Sequence, residues 1–348
     1  MITDLRLQHF RSYGDASFEL SPGVNIVVGP NASGKTNLLE ALLLLARGSS
    51  YRAKDSELVQ FDKPWGRLDA HLAEGQRTVK ITLEPAVSKE YEITGRSYKR
   101  MTFNNTLPVV LFEPEHLRLL SGGPERRRDY LDDLLEQTEP GYGSLRRNYR
   151  RTLAQRNALL KQHGSRTQIF PWDVRLSELA GQIVRLRGRL VDQLGEEITP
   201  LYKKLSGSRT KVTLVYETRW PVEGYETRLL KELETSLELD IARGFTAAGP
   251  HREDLLVLFN GHPAQETASR GEIRTAVLAL KIIELRILEA ARGTTPLLLL
   301  DDVFSELDGK RRHALTDYLA PYQTFITTTD ADTVLGHFTE TTNIIPLA

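Results

Sequence analysis

A glycine-rich segment between an apolar run and a helical pattern places the tightest constraint on how this chain can fold. The segment follows the β-prone run Val24 to Val28 and opens a helix predicted from Lys35 to Arg47. It consists of Gly29, Pro30, Asn31, Ala32, Ser33, Gly34, Lys35 and Thr36. These residues fit the phosphate-binding pattern GxxxxGK[ST] in the strand–loop–helix context that confirms it. Backbone N–H groups of such a loop converge on a phosphate, and the helix dipole supports them. The sequence therefore predicts the α/β fold of a P-loop NTPase.

Two further features complete the chemistry that this loop begins. Lys35 is predicted to neutralise β- and γ-phosphate oxygens, and Thr36 to hold Mg²⁺. Near the other end of the chain, four leucines at 297–300 run directly into Asp301 and Asp302. Such a run is by itself more often a strand that meets a polar loop. Paired with the phosphate loop, it predicts Asp301 in the Mg²⁺ shell and Asp302 polarising the attacking water. ATP and Mg²⁺ are therefore the expected ligands.

A second anion-binding site is predicted between these two motifs, at the start of a helix. Its residues are Ser269, Arg270, Gly271 and Glu272. Free N–H groups and a serine hydroxyl at a helix N-terminus point one way, although in isolation the same pattern is an ordinary serine N-cap. After the two acids, Ser305 to Asp308 resembles a D-loop. The order of phosphate loop, Ser-x-Gly helix, acids and D-loop resembles that of the ABC-type ATPases.

Composition indicates the cellular compartment of the protein but does not identify a partner. The 348 residues include no cysteine, which excludes a disulfide framework and a cysteine zinc site and fits a reducing compartment. The first 14 residues lack the apolar stretch of a secretory signal, and no run approaches membrane-spanning length, so we expect a cytoplasmic protein. With 46 basic and 46 acidic residues the net charge is zero, so a nucleic-acid partner must be argued from local patches.

Periodicity divides the chain into a head built from both ends and an insertion between them. Short β-prone runs between turn residues recur from 66 to 112. Further along, apolar residues recur every three or four positions, with a break at Gly164 to Pro171, which predicts a helical hairpin. The α/β pattern then returns. We predict an ABC-type ATPase head domain from residues 1–115 and 246–348, with an inserted helical lobe at 116–245.

Longer segments resemble one family specifically, the RecF family. The separation of Lys35 from Asp301 exceeds what a compact transporter nucleotide domain needs, whereas the predicted hairpin is far too short for the coiled-coil arms of structural-maintenance or Rad50 proteins. The segments that carry the resemblance are Leu7 to Tyr13, Leu111 to Glu115, Gly123 to Arg128, Gly249 to Leu255, and Ala268 to Gly271 leading into Arg274 and Thr275. The resemblance runs from residue 5 to about 330.

The resemblance to the RecF family implies a function in recombinational DNA repair. Proteins of this family bind ATP and dimerise, with each nucleotide between the phosphate loop of one subunit and the Ser-x-Gly motif of the other. They bind duplex DNA near single-strand gaps and work with RecR and RecO in loading RecA. For this chain the resemblance implies a homodimer in which Ser269 acts in trans beside Lys35 and Asp302 as catalytic residues.

Three positions depart from the usual ABC-type patterns. Glu272 stands where a glutamine is usual, and Asp302 where most ABC-type ATPases have a glutamate. The residues at 328–330 are Thr-Thr-Asp, where many such enzymes carry a switch histidine. The water-activating machinery is thus shorter and less complete, which predicts a weak ATPase whose slow hydrolysis serves as a switch.

Smaller signals leave alternatives open. Arg11 resembles the family arginine that approaches the nucleotide phosphates, but a surface salt bridge would also account for it. His251 fits either a catalytic role or a hydrogen-bonded structural one. Glu113 or Glu115 resembles the position that couples nucleotide state to the lobe in related ATPases, or is a simple loop acid.

Arginines concentrate on the predicted helical lobe. The candidates for contact with duplex phosphates are Arg146, Arg147, Arg150 and Arg151. Acidic residues interleave with them, so composition alone fits a solvated helix face equally well, and it is the family resemblance that favours DNA. The alternative function is that of an ABC-type ATPase subunit that drives a protein or membrane partner without DNA.

Overall fold

The computed structural model describes residues 1–330, 334–336 and 342–347. Its contacts divide the chain into two compact units. Unit 1 comprises Met1–Leu117 and Glu284–Ala348, and unit 2 comprises Arg118–Ile283. Both ends of the chain therefore contribute to unit 1, as the repeated α/β pattern suggests.

Strands occur in both units. They are β1 (Ile2–Phe10), β2 (Tyr13–Glu19), β3 (Val24–Val28), β4 (Trp65–Leu72), β5 (Gly75–Thr82), β6 (Ser88–Ile93), β7 (Arg96–Tyr98), β8 (Val109–Phe112), β9 (Val212–Glu217), β10 (Asp254–Phe259), β11 (His262–Pro263), β12 (Leu297–Asp301), β13 (Thr324–Thr328) and β14 (Asn343–Pro346).

Helices occur in both units and make up most of unit 2. They are α1 (Lys35–Arg47), α2 (Asp55–Leu58), α3 (Pro124–Thr138), α4 (Tyr142–Lys161), α5 (Arg166–Ser206), α6 (Tyr225–Thr235), α7 (Leu237–Arg243), α8 (Ala264–Thr267), α9 (Arg270–Arg292), α10 (Val303–Glu306) and α11 (Gly309–Leu319). Short 3-10 helices cover Phe103–Asn105 and Pro114–Arg118. Helix α9 begins in unit 2 and ends in unit 1.

A five-stranded sheet positions the predicted nucleotide chemistry in unit 1. Its order is β14-β3-β13-β12-β8, and every neighbouring pair is parallel. All five residues of β12 and of β13 are buried, which explains why these strands read as unbroken apolar or threonine-rich runs rather than as alternating patterns. Because the strands are parallel, the loop after β3 and the acids after β12 emerge at the same edge of the sheet, on either side of β13.

A six-stranded antiparallel sheet completes unit 1, in the order β2-β1-β4-β5-β6-β7. It includes the β-prone runs predicted between residues 66 and 94, whereas the run that ends at Phe112 forms β8 of the parallel sheet, and it adds β1. The predicted helix from Lys35 to Arg47 has the bounds of α1. The apolar residues between Leu38 and Ala46 of this helix share one hydrophobic cluster with residues of both sheets.

Unit 2 differs from the prediction in two ways. The hairpin forms as α4 and α5, but α5 begins at Arg166 and includes Pro171, so the break is shorter than predicted. The unit also contains a three-stranded sheet, β11-β10-β9, and β9 packs on α5. Because β10 pairs with β9 in unit 2, the observed boundary lies at residue 284 rather than at the predicted 246.

Candidate nucleotide-binding site

The backbone of the phosphate loop adopts a conformation at Gly34 that only glycine accommodates without strain. Gly34 has a φ of +102°, and a Cβ there would lie 2.9 Å from Ser12 Oγ and 3.0 Å from the Tyr13 hydroxyl oxygen. The Tyr13 hydroxyl donates a hydrogen bond to Gly34 O at 3.0 Å, and burial raises the Tyr13 pKa to about 12. Ala32 also adopts a positive φ, 67°. The loop is thus held in a tight turn, by β2 on one side and by the start of α1 on the other.

Lys35 lies against the loop that contains it. Its buried ammonium donates to Gly29 O at 2.6 Å and to Pro30 O at 2.7 Å. Within the described residues both of these acceptors are neutral carbonyls rather than carboxylates, so the charge is available to a phosphate at this loop. The predicted role of Lys35 is consistent with this position.

Thr36 and Asp301 meet although 265 positions separate them in the chain. Thr36 Oγ1 donates to Asp301 Oδ1 at 3.1 Å, and Thr327 Oγ1 donates to the same oxygen at 2.8 Å. Asp301 is buried at the carboxyl end of β12, and Thr327 belongs to β13, between the two motif-bearing strands. A hydroxyl and a carboxylate are the few protein ligands that Mg²⁺ takes when phosphates and water supply the rest. The donor set therefore fits Mg²⁺.

Asp302 takes a conformation unlike that of its neighbour. It has a φ of 52°, in the left-handed region, and its N–H donates to Thr327 Oγ1 at 2.9 Å. Its side chain is exposed, and Ser305 Oγ donates to Asp302 O at 2.6 Å and to Asp302 Oδ1 at 3.2 Å. This turn directs the carboxylates of Asp301 and Asp302 to different surroundings, one buried and one open to water. Such a division suits one metal ligand and one base.

Arg11 forms a salt bridge with Glu40, which was the alternative to a contact with the nucleotide phosphates. Its guanidinium donates to both oxygens of Glu40, at 2.8 and 2.9 Å, and to Glu57 O at 2.9 Å. Although burial of the Glu40 carboxyl opposes ionisation, hydrogen bonds from Arg11, Arg52 and Ser50 hold its pKa below the ordinary value. Contact of Arg11 with a phosphate stays a prediction.

A cavity of about 480 Å³ beside Arg11 was not predicted from the sequence. Its wall includes Ser12, Asn37 and Phe61, and Phe61 is 87% exposed. Asn37 directly follows the predicted metal ligand Thr36, and Arg52 donates to Asn37 Oδ1 at 2.8 Å. In the sequence, Asn37 adjoins the phosphate loop and Ser12 lies in a segment that carries the family resemblance, whereas Phe61 carries no signal of its own.

The predicted anion site of unit 2 forms a capping box. Ser269 immediately precedes α9 and exchanges hydrogen bonds with Glu272, as an ordinary N-cap does. Arg270 is exposed at the first position of the helix. The geometry therefore includes the N-cap that was the alternative interpretation, while the role of Ser269, Arg270, Gly271 and Glu272 in a partner's site stays a prediction.

His251 has the hydrogen bonds of a structural histidine. The Tyr149 hydroxyl and His251 Nδ1 are 2.6 Å apart, and Nε2 lies 3.1 Å from Thr246 O. A neutral ring satisfies both contacts, with Nε2 donating to that carbonyl and Nδ1 accepting from the tyrosine. Burial lowers the His251 pKa to about 4, and nearby arginines add to the effect. Gly249 has a φ of +128°, and a Cβ there would lie 2.8 Å from the Tyr149 hydroxyl oxygen. These contacts favour the structural role.

Glu113 and Glu115 follow β8, the edge strand of the parallel sheet, and Glu115 lies in the 3-10 helix Pro114–Arg118. Burial raises the pKa of Tyr51, and the charges of Asp301 and Glu113 raise it further. Glu113 thus lies within electrostatic range of the same tyrosine as Asp301, the residue that fits Mg²⁺. That Glu113 or Glu115 couples nucleotide state to the lobe stays a prediction, and a simple loop acid stays the alternative.

The four arginines predicted to contact DNA have different surroundings. Arg146 is only 14% exposed and pairs with Asp129, Asp132 and Glu136, which neutralise its charge locally. It therefore differs from the prediction, because a side chain committed to three carboxylates is not free to reach a phosphate backbone. Arg147, Arg150 and Arg151 are exposed on α4.

Comparisons with known proteins agree with the motifs. The family described as "RecF/RecN/SMC N terminal domain" matches residues 1–345. The protein named DNA replication and repair protein RecF from Heliobacterium modesticaldum is 36% identical over 342 residues, covering 94% of this chain and 92% of that protein. The protein of the same name from Thermosynechococcus vestitus is 37% identical over 343 residues, covering 94% and 90%.

Solved structures give the same result at the level of the fold. The recombination mediator protein RecF-ATPrS in the RecFOR pathway superposes with a TM-score of 0.89 at 31% identity, covering 100% of this chain and 97% of that one. An Smc head bound to the C-winged helix domain of ScpA has a TM-score of 0.57 at 16% identity, covering 99% and 93%, and shares the fold. Among the described helices, none has the length and apolarity that crossing a membrane requires. The predicted ABC-type head fold is confirmed, and the chain belongs to the RecF family.

Proposed function

We propose that this chain is an ATP-dependent DNA-binding protein of recombinational repair, with a weak ATPase activity that serves as a switch. The observation that carries the nucleotide part is the meeting of Thr36 and Asp301 beside the loop that holds Lys35. Two segments distant in sequence, the start of α1 and the end of β12, bring together there a cation, a hydroxyl and a carboxylate. This is the set that binding of a magnesium–triphosphate complex requires.

Each residue of the site has a separate task in the proposed hydrolysis. Lys35 offsets the charge of the β- and γ-phosphate oxygens, while Thr36 and Asp301 would hold Mg²⁺. When bound, Mg²⁺ supplies charge neutralisation between the phosphates. Asp302 orients and polarises a water through its exposed carboxylate. A single aspartate, shorter than the glutamate usual at this position, supports slow turnover.

The cavity beside Arg11 is proposed to take the nucleoside part of ATP. Asn37 lies in its wall and directly follows Thr36, so a nucleotide whose phosphates occupy the loop extends its sugar and base toward this cavity. Its volume of about 480 Å³ falls within the range of small-molecule sites. The exposed ring of Phe61 offers a surface on which a base can stack.

The homodimer is proposed to place Ser269 of one subunit at the nucleotide of the other. A phosphate loop encloses a nucleotide from one side, which leaves the outer face of the γ-phosphate open. A Ser-x-Gly helix start from a second copy can close that face, and two such contacts satisfy a two-fold axis.

Mixing Lys35→Ala protein with Ser269→Arg protein tests this arrangement. In a mixed dimer one site combines both defects and the other combines both intact residues. Each variant alone should lack ATPase activity, and the mixture should recover roughly a quarter of the wild-type rate if subunits exchange at random and sites act independently.

The control for the mixing experiment is nucleotide binding by the separate subunits. Ser269→Arg should still bind ATP as a monomer, since Ser269 contributes nothing to its own subunit's loop in this arrangement. Weakened binding by that monomer would argue for a role within one subunit. Normal mixed dimers without recovered activity would show that both sites must act together.

DNA binding is proposed from the family and from one face of α4. Relatives named DNA replication and repair protein, and a structure of a recombination mediator in the RecFOR pathway, support a role in repair with DNA, RecO and RecR. We propose that the chain binds gapped duplexes at junctions with single strands and helps to load RecA, in the cytoplasm where such DNA lies. Arg147, Arg150 and Arg151 are the cations offered to duplex phosphates.

Replacing Arg147, Arg150 and Arg151 together by alanine should weaken duplex binding and flatten its salt dependence. Removing one arginine–phosphate pair reduces the slope of log affinity against log salt by about 0.9, so the full change is up to about 2.7. Fluorescence anisotropy with ATP at several salt concentrations measures this slope.

A matched control for the arginine triple replaces the exposed Arg166, Arg175 and Arg219, each of which has an acidic partner. It removes the same charge and should leave the slope near that of the wild type. An equal loss in both triples would mean that overall charge, not this face, binds DNA. No salt-dependent binding by the wild type would favour the alternative, an ATPase subunit acting on a protein or membrane partner.

A further inference from the structure

The start of α9 carries a carboxylate where the proposed dimer needs a partner's phosphate. Ser269 Oγ donates to Glu272 Oε2 at 2.8 Å, and the Ser269 N–H donates to the same oxygen at 2.8 Å. The Glu272 N–H donates back to Ser269 Oγ at 3.3 Å. Both polar hydrogens of the serine are therefore already directed at an anion that belongs to the same chain.

A phosphate from a second subunit would compete for these same donors. A serine hydroxyl has a single proton to donate, and here it is donated to Glu272. The helix dipole that would attract a γ-phosphate also stabilises this carboxylate in the first turn. The incoming phosphate would further meet a negative charge at close range, which opposes its approach.

We propose that the Glu272 carboxylate occupies, in the monomer, the hydrogen-bond donors that bind the partner's γ-phosphate in the dimer. By this competition it sets the ATP concentration at which the protein dimerises. This inference rests on the proposed trans role of Ser269. In the monomer the carboxylate closes the helix start. In the dimer the side chain turns away and releases the serine hydroxyl and N–H to the phosphate.

The helix start can survive this release. The Ile273 N–H donates to Ser269 O at 3.0 Å, so a backbone bond fixes the first turn independently of the Glu272 side chain. Arg270 is exposed at the first helical position and adds a positive charge beside the opened cap. Exchange of one anion for another therefore requires only a side-chain rotation.

The variant Glu272→Gln removes the negative charge of residue 272 but keeps its hydrogen bond to Ser269. The amide oxygen of glutamine can accept from Ser269 as the carboxylate does, but it carries no negative charge. We expect the ATP concentration for half-maximal dimerisation to fall by about 5- to 50-fold, within the usual range of coupling between sites. Sedimentation velocity with Mg²⁺ and a slowly hydrolysed ATP analogue measures this, while calorimetry should give an unchanged affinity of the monomer for nucleotide.

Two further variants complete the test. Glu266→Gln removes the same charge from the exposed helix α8, outside the cap, and should leave the threshold unchanged. Glu272→Ala removes charge and cap together and should also lower the threshold, which keeps the test valid if the glutamine variant folds poorly.

The outcomes separate this inference from the function on which it rests. A threshold that is unchanged or raised in both Glu272 variants, while Ser269→Arg still prevents dimerisation, overturns the role of Glu272 and leaves the trans role of Ser269 intact. An equal fall in Glu266→Gln would likewise overturn it, because a general charge effect would then explain the result. Normal ATP-dependent dimerisation of Ser269→Arg would refute the proposed trans arrangement itself.

Discussion

Lys35→Ala should reduce ATP affinity at least about 100-fold, the largest functional loss expected from one substitution in this chain. The ammonium lies at the phosphate loop, within hydrogen-bond distance of Gly29 O and Pro30 O. Hydrogen bonds to charged groups contribute about 1.5–3 kcal/mol each, and a lysine at this position makes more than one to the β- and γ-phosphates. Isothermal titration calorimetry with Mg²⁺ and ATP measures the loss.

The control for Lys35→Ala is Lys99→Ala, which removes the same charge from an exposed position of unit 1. It should bind ATP as the wild type does. Both variants should keep their helical circular dichroism, since the bonds of Lys35 to the loop involve two carbonyls that water can also satisfy. Wild-type affinity in Lys35→Ala would remove the basis for the nucleotide site proposed here.

Arg156→Ala should destabilise the protein by about 3–5 kcal/mol, the largest structural loss that we expect. The Arg156 side chain is 0% exposed and pairs with Asp173 at 2.5 Å and Asp240 at 2.8 Å. It also donates to Thr246 Oγ1 at 2.7 Å. Removing the guanidinium leaves two buried carboxylates without a cation, a state that costs more than the loss of the hydrogen bonds alone. Chemical denaturation followed by circular dichroism measures the change.

The pH dependence of this loss has a definite sign. Burial already raises the pKa of Asp173 above its ordinary value, and removal of Arg156 should raise it further. A carboxyl whose pKa is raised on folding destabilises the folded state as pH rises above the unfolded value near 4. The difference between variant and wild type should therefore be largest near pH 7 and shrink toward pH 4.

Arg175→Ala provides the matched control on α5. Its guanidinium is 54% exposed and pairs with Glu178 at the surface, so we expect a change below about 0.5 kcal/mol at any pH. A loss in Arg156→Ala as small as that in Arg175→Ala would mean that water enters the site and solvates both acids.

The sequence predicted the residues within the phosphate loop better than those that distant strands bring to the site. Lys35 and Thr36 belong to a contiguous pattern whose spacing is set by local backbone geometry. The whole pattern can therefore be recognised in the sequence. Asp301 could be assigned because an apolar strand ends there, but its contact with Thr36 depends on β13 lying between the two strands. Thr327, which bonds both Asp301 and the backbone of Asp302, carried no signal of its own.

The local sequence predicted least well which charged side chains are exposed and which are paired with acids. Arg146 and Arg150 are four residues apart on α4, yet Arg146 is 14% exposed and pairs with three acids, whereas Arg150 is 64% exposed and lies 3.8 Å from Asp129. Arg156 lies on the same arginine-rich helix, but its side chain is buried between acids from α5 and α7. Periodicity places such residues on helices, whereas the partners come from distant segments that the pattern does not reveal.

By itself the sequence determined the P-loop, the order of the ABC-type motifs, the helices of the hairpin and the RecF family, because each depends on short-range patterns. Only the tertiary structure decided that His251 is buried against Tyr149, that β9 and β10 form a sheet in unit 2, and that Arg11 is bound to Glu40. These features depend on which distant side chains share a buried space. The cost of leaving a buried polar group without a partner selects those pairs, and that cost arises only once the chain has folded.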